Sequence, residues 1–133
     1  MNEAAKKDIL ERLKLLLSEI EQNVDLILVE GQRDVEALRS LGYAGSVATC
    51  SRFCVNYAEL AEMIAGENDR VLVLTDFDQG GNELNARFSE LLERMGVVVE
   101  KGLRGQVARL MAALEVHVVE ALDNVSESLR DVY

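Results

Sequence analysis

The sequence predicts an α/β domain in three layers, with a mostly parallel central sheet and helices on both faces. Three observations carry this. Short runs such as Leu26-Ile27-Leu28-Val29 and Val71-Leu72-Val73-Leu74 are apolar at every position, as strands covered on both faces should be. Between these runs, apolar residues recur at helical spacing. Strand and helix patterns then alternate along the chain, which implies parallel strands joined by right-handed crossovers.

The elements follow in order. Residues 3–22 form a first helix with the stripe Ile9, Leu10, Leu13, Leu16, Leu17 and Ile20, stopped at Asn23. Residues 24–29 are the first strand. A second helix at 33–41 buries Val35, Leu38 and Leu41 and closes at Gly42, since glycine accepts the left-handed conformation that ends helices. Residues 46–49 are a short second strand. Asn56 caps a third helix that carries Leu60, Met63 and Ile64 and closes at Gly66. The third strand is 70–75. Asn82 caps a fourth helix with Leu84, Phe88, Leu91, Leu92 and Met95, closed by Gly96. A strand at 97–99, a helix at 106–114, a fifth strand at 116–119 and a short amphipathic helix at 125–130 complete the pattern. The 133 residues therefore read as one domain: an N-terminal helix (1–23), a core (24–100) and a C-terminal helix, strand and helix (101–133).

Apolar residues make up 49% of the chain and charged residues 29%, an ordinary soluble balance. The apolar runs are too short to cross a bilayer, and the charged opening carries no signal-peptide pattern. The expectation is a cytoplasmic protein without membrane contact. Cys50 and Cys54 are expected as reduced thiols, too widely spaced for a thioredoxin motif and without a companion pair for zinc. The net charge of −10 excludes a protein that coats nucleic acid through a broad basic surface. It leaves room for local contact with a phosphodiester through a bound cation, which inverts the local charge.

Two of the apolar runs end in acid. Glu30-Gly31-Gln32-Arg33-Asp34 follows the first strand, and Asp76-Phe77-Asp78-Gln79-Gly80-Gly81 follows the third. In an open parallel sheet, ligands bind beyond the carboxyl ends of the strands, so Glu30, Asp76 and Asp78 converge on one rim. Alternation along an extended segment turns Asp76 and Asp78 to the same side and Phe77 to the other. Two carboxylates about 4 Å apart repel by roughly 4 kcal/mol at an effective dielectric near 20. A hard divalent ion relieves this, and magnesium takes one or two carboxylates while keeping waters that phosphate oxygens replace. Taken singly, each acid reads equally well as a turn or capping residue. Their joint placement after two buried strands, each followed by glycine, favours a metal site.

These motifs resemble the Toprim domain shared by topoisomerases, bacterial-type primases, OLD-family nucleases and ribosomal-RNA maturation nucleases. The resemblance spans residues 24–99, and the size resembles that of small stand-alone primase-like Toprim proteins of archaea. It implies a Rossmann-like fold. It also implies a general acid or base at Glu30 and one or two magnesium ions, replaceable by manganese, at Asp76 and Asp78 with Glu30 completing the shell. No zinc-binding or helicase-binding primase segment and no topoisomerase tyrosine context accompanies it; Tyr43, Tyr57 and Tyr133 read as packing or surface residues.

Arg33, Arg52, Lys101 and Arg104 fall near the predicted rim, and Arg33 and Arg52 are the candidate contacts to nucleic-acid phosphates. His117 lies in the apolar run 116–119 with no serine placed for a triad. Two functions stay open: magnesium-dependent chemistry at a phosphodiester of DNA or RNA, bound weakly by the domain alone, or a noncatalytic nucleic-acid- or nucleotide-binding module beside a partner protein or a second copy. A third reading is an unrelated doubly wound protein. A haloacid-dehalogenase-type phosphatase, however, places Asp-x-Asp after its first strand, and a receiver domain wants an acidic pair where Glu30 stands alone.

Overall fold

A computed structural model describes residues 1–51 and 56–132; Arg52, Cys54 and Tyr133 lie outside the described residues. The chain runs α1 (Glu3–Asn23), β1 (Leu26–Val29), α2 (Gln32–Ser40), β2 (Val47–Thr49), α3 (Tyr57–Glu67), β3 (Arg70–Val73), α4 (Gln79–Arg94), β4 (Val98–Val99), α5 (Lys101–Ala113) and α6 (Ala121–Val132). The strands form one sheet in the order β2-β1-β3-β4, every pairing parallel, with Ile27 opposite Val47, Leu28 opposite Val73 and Val71 opposite Val99.

Alternate strand residues feed two cores, as a pleated strand requires. Ile27, Val29, Leu72 and Leu74 pack with Leu13, Leu17 and Ile20 of α1, Leu38 of α2, Val107 and Met111 of α5, and Leu122 and Leu129 of α6. Leu26, Leu28, Val71 and Val73 pack on the other face with Leu60 and Ile64 of α3 and Phe88 and Leu92 of α4. This is the three-layer arrangement that the uniformly apolar runs demand. No helix among the described residues is long and apolar enough to cross a membrane.

Several boundaries differ from the sequence reading. Asn56 caps α3 as expected, its Oδ1 accepting from Glu59 N at 2.8 Å. Gly42 and Gly96 turn the chain after α2 and α4 at φ +94° and +86°. Asn82, however, does not cap α4. The helix begins at Gln79, and Asp78 is the cap. Helix α5 starts at Lys101 rather than 106: burial of Arg104, Val107 and Met111 along one face overrides the low helix propensity of Gly102 and Gly105.

The expected strand at 116–119 is absent among the described residues. Glu115 sits at φ +62°, turning the chain sharply after α5. The following segment then crosses the end of β3 instead of pairing beside it, with Phe77 N donating to His117 O at 2.7 Å. Met63 and Met95, expected inside, are 50% and 38% exposed. Met63 sits at the margin of the α3 face that Leu60 and Ile64 fill, and Met95 is the C-cap, past the last residue of α4.

Candidate metal centre

β1 and β3 are neighbours, and Leu74 N continues their pairing with a 2.7 Å bond to Leu28 O. The chain leaves β1 at Glu30 and leaves this paired stretch of β3 at Asp76, so both side chains emerge at the same carboxyl edge. There the Glu30 carboxyl lies close enough to Asp76 for the two groups to interact. Burial, and after it the Asp76 carboxylate, push the Glu30 carboxyl up to about 7. A partly desolvated carboxyl beside a second carboxylate holds its proton more tightly. The second oxygen-bearing restraint on this pair is the 116–120 segment, whose Val119 N donates to Asp76 Oδ1 at 2.7 Å.

Asp78 is placed differently. Its Oδ1 accepts from Gly81 N at 2.7 Å, capping α4, and the residue is exposed. Gly81 is fixed by sterics: a Cβ there would lie 2.0 Å from the Asp76 carbonyl oxygen. Thr75 Oγ1 donates to Gly81 O at 2.6 Å, closing the loop from β3 into the helix. The glycine after the Asp-x-Asp motif thus serves close backbone approach rather than a special φ. Asp34, 6% exposed, accepts from Gly31 N at 2.9 Å through Oδ2 and so braces the start of α2. Burial raises its carboxyl above the usual range, and the charges of Asp76 and Glu120 add to this.

The structure therefore brings Glu30 and Asp76 into contact and sets Asp78 on the adjoining helix cap. Among the described residues, no three Asp, Glu, His or Cys side chains are gathered as a metal cage. The donors suit magnesium all the same. They are hard carboxylate oxygens, and the ion takes few protein ligands and keeps its waters.

Of the basic candidates, Arg33 is exposed in the first turn of α2 and lines a polar cavity of about 420 Å³ with Glu36, Glu120, Asp123 and Asn124. Lys101, at the start of α5, pairs with Glu93 at 2.7 Å. Cys50 is buried at the end of β2, and burial, with the charges of Glu30 and Asp34, pushes its thiol up to about 12, so it is inert. Tyr57 stacks on Phe88, their ring centroids 4.9 Å apart. His117 is exposed and enters the site only through its carbonyl.

Arg104 is the residue that the sequence reading misplaced. It is 7% exposed and reaches under the end of β3. Nη1 donates to Val73 O at 3.1 Å and Thr75 O at 2.8 Å, and Nη2 to Asp76 O and Asn82 Oδ1, both at 3.2 Å. Its signal was present: Arg104, Val107 and Met111 share one helical face, visible once the helix is begun at Lys101.

Comparison with known proteins agrees with this geometry. The sequence profile of the Toprim domain matches residues 25–102, which carry both acidic motifs and all four strands. The chain belongs to the Toprim family. Its relatives include a UPF0292 protein of Methanosarcina acetivorans, 32% identical over 91% of this chain and 82% of its own length. Another is a UPF0292 protein of Pyrococcus furiosus, 31% identical over 90% of this chain and 88% of its own length. Among solved structures, a protein from Aquifex aeolicus superposes with a TM-score of 0.63 at 26% identity, covering 86% of this chain and 95% of that one. Toprim membership sets aside the phosphatase and receiver readings.

Proposed function

We propose that this Toprim domain carries out magnesium-dependent chemistry at a phosphodiester bond of DNA or RNA, with Glu30 as the proton-transfer residue and Asp76 and Asp78 as the cation's protein ligands. The contact between Glu30 and Asp76 carries the reading. Two carboxyls held together at the carboxyl edge of a parallel sheet, one of them raised to about 7, form a site at odds with itself until a cation enters. Magnesium, when bound, supplies charge stabilisation at the phosphoryl oxygens.

The chain's own residues do the rest. Val119 N–H holds one Asp76 oxygen. Asp78 caps α4 with Oδ1 and offers Oδ2 outward, beside the positive end of that helix. Glu30, titrating near neutrality, takes a proton from the attacking oxygen or returns one to the leaving oxygen. Arg33 at the start of α2, together with Arg52, binds substrate phosphates.

One observation favours a second reading, a binding module that acts within a partner complex or as an oligomer. At the described rim, Arg104 is spent on internal carbonyls, and Arg33 shares its cavity with Glu36, Glu120 and Asp123. A domain with so little basic surface would bind nucleic acid weakly by itself.

Labelled single- and double-stranded DNA and RNA, incubated with magnesium or manganese, separate the two readings. Cleavage or transfer that Glu30→Gln and Asp76→Asn each abolish supports the enzyme. Metal-dependent binding without turnover supports the module. Turnover that survives both substitutions would place the chemistry elsewhere.

A further inference from the structure

We infer that Arg104 is the positioning residue of the acidic site, holding the segment from Val73 to Asn82 in the one conformation that presents Asp76 and Asp78 to a cation. The inference rests on the metal reading above and goes beyond it.

The guanidinium serves four acceptors from three successive stretches: the last strand residue Val73, the linker residues Thr75 and Asp76, and Asn82 in the first turn of α4. Its carbon also lies 4.3 Å from the centroid of the Phe77 ring, the residue between the two aspartates. Asp76 and Phe77 of the Asp-x-Asp motif, and the residues on both sides of it, are therefore tied to one rigid planar group. Asn82 adds a further tie, its Nδ2 donating to Phe77 O at 3.4 Å.

All four acceptors of Arg104 are uncharged. A buried guanidinium is costly to desolvate, and neutral carbonyls repay that cost less well than a carboxylate would. What remains is geometry: five donors in a fixed fork span acceptors that an ammonium with three donors on a flexible stem does not. The chain thus spends a buried cation on the shape of this loop. The same positive charge lies near enough to Asp76 and Glu30 to be felt by both. It partly offsets their repulsion from beneath, while leaving the outward face of the loop open.

Two amides report the aspartates directly, because Gly81 N–H binds Asp78 Oδ1 and Val119 N–H binds Asp76 Oδ1. The test compares wild type with Arg104→Lys and with Asn82→Ala, an exposed change that removes a single acceptor from the fork. Leu92→Ala, in the opposite core, controls for lost stability alone.

Hydrogen exchange at Gly81 and Val119, referenced to the β1 amides, is measured in chelator, and manganese affinity by calorimetry at a temperature where each protein is folded. Arg104→Lys should speed exchange several-fold at those two amides and weaken manganese binding by about 10-fold or more, as loss of a group that orients metal ligands does. Asn82→Ala should do the same to a smaller degree, and Leu92→Ala should do neither. Unchanged amides in both loop variants would overturn the inference, as would loosened amides with wild-type manganese affinity. Failure of the wild type to bind manganese would instead refute the metal reading, and the amides would still decide the role of Arg104.

Discussion

Replacing Glu30 by glutamine in the metal-free protein should stabilise it at alkaline pH and leave it nearly unchanged at acid pH. Glutamine keeps the shape and can still donate a hydrogen bond to Asp76, so the substitution removes the charge alone. In the folded protein the Glu30 carboxyl climbs from 4.5 to about 7. A group raised in this way contributes stability that is fully present below its unfolded value and is lost as pH rises through its folded value. The window therefore runs from about pH 4.5 to pH 7. At about 1.4 kcal/mol per tenfold change, the climb is worth at most about 3 kcal/mol. Glu30 is only half-buried, and solvent screening reduces this to about 1–2 kcal/mol. For a chain of this size that is a gain of roughly 3–8 °C in Tm for the variant at pH 8. Urea unfolding followed by circular dichroism, in chelator at pH 5 and pH 8, reads the difference. Equal effects at the two pH values would show that the Glu30 carboxyl is not raised in the folded state. Added magnesium should narrow the gain at pH 8, because the cation favours the protein with the more negative site.

Three further outcomes follow from the same geometry. Gly81→Ala should destabilise by about 2–4 kcal/mol in thermal unfolding, since its methyl group meets the Asp76 carbonyl, and should weaken manganese binding in calorimetry. Asp78→Asn should keep the α4 cap while losing cation affinity, whereas Asp78→Ala should lose affinity and also about 1 kcal/mol of stability; equal affinity in all three proteins would leave Asp78 a cap and nothing more. Nucleic-acid binding, measured by fluorescence anisotropy, should vanish in chelator and show a shallow salt dependence, about 0.7–0.9 in log K per phosphate contacted; a steep slope without magnesium dependence would reveal a basic face elsewhere.

Much of this was legible in the sequence because burial on both faces of a parallel strand leaves a direct trace. The runs at Leu26 and Val71 are apolar throughout, and that pattern alone places them in the middle of the sheet. The acids that end those runs inherit the position, so the meeting of Glu30 and Asp76 follows from topology without any knowledge of side chains. Where the sequence misled, tertiary contacts outweighed local propensity. Glycines at 102 and 105 hid the start of α5, and with it the inward face that carries Arg104. The run Val116-His117-Val118-Val119 has strand composition, yet a left-handed Glu115 aims it across the sheet's end. Asp78 and Asn82 are both good capping residues, and only the bond to Gly81 decides between them.

These misread stretches share a consequence. The Toprim match ends at residue 102, but two groups that hold Asp76 from outside its own loop lie beyond it: the Arg104 guanidinium on its carbonyl and the Val119 N–H on its carboxylate. The motifs supply the acids, and the C-terminal third aims them. Helix α6 packs its Leu122 and Leu129 into the core that also holds α1 and α5, so the 116–120 segment is pinned between two anchored helices. With the buried Arg104 guanidinium on the Asp76 carbonyl and the Val119 N–H on its carboxylate, the placement of this acid beside Glu30 depends on residues that lie outside the motifs themselves.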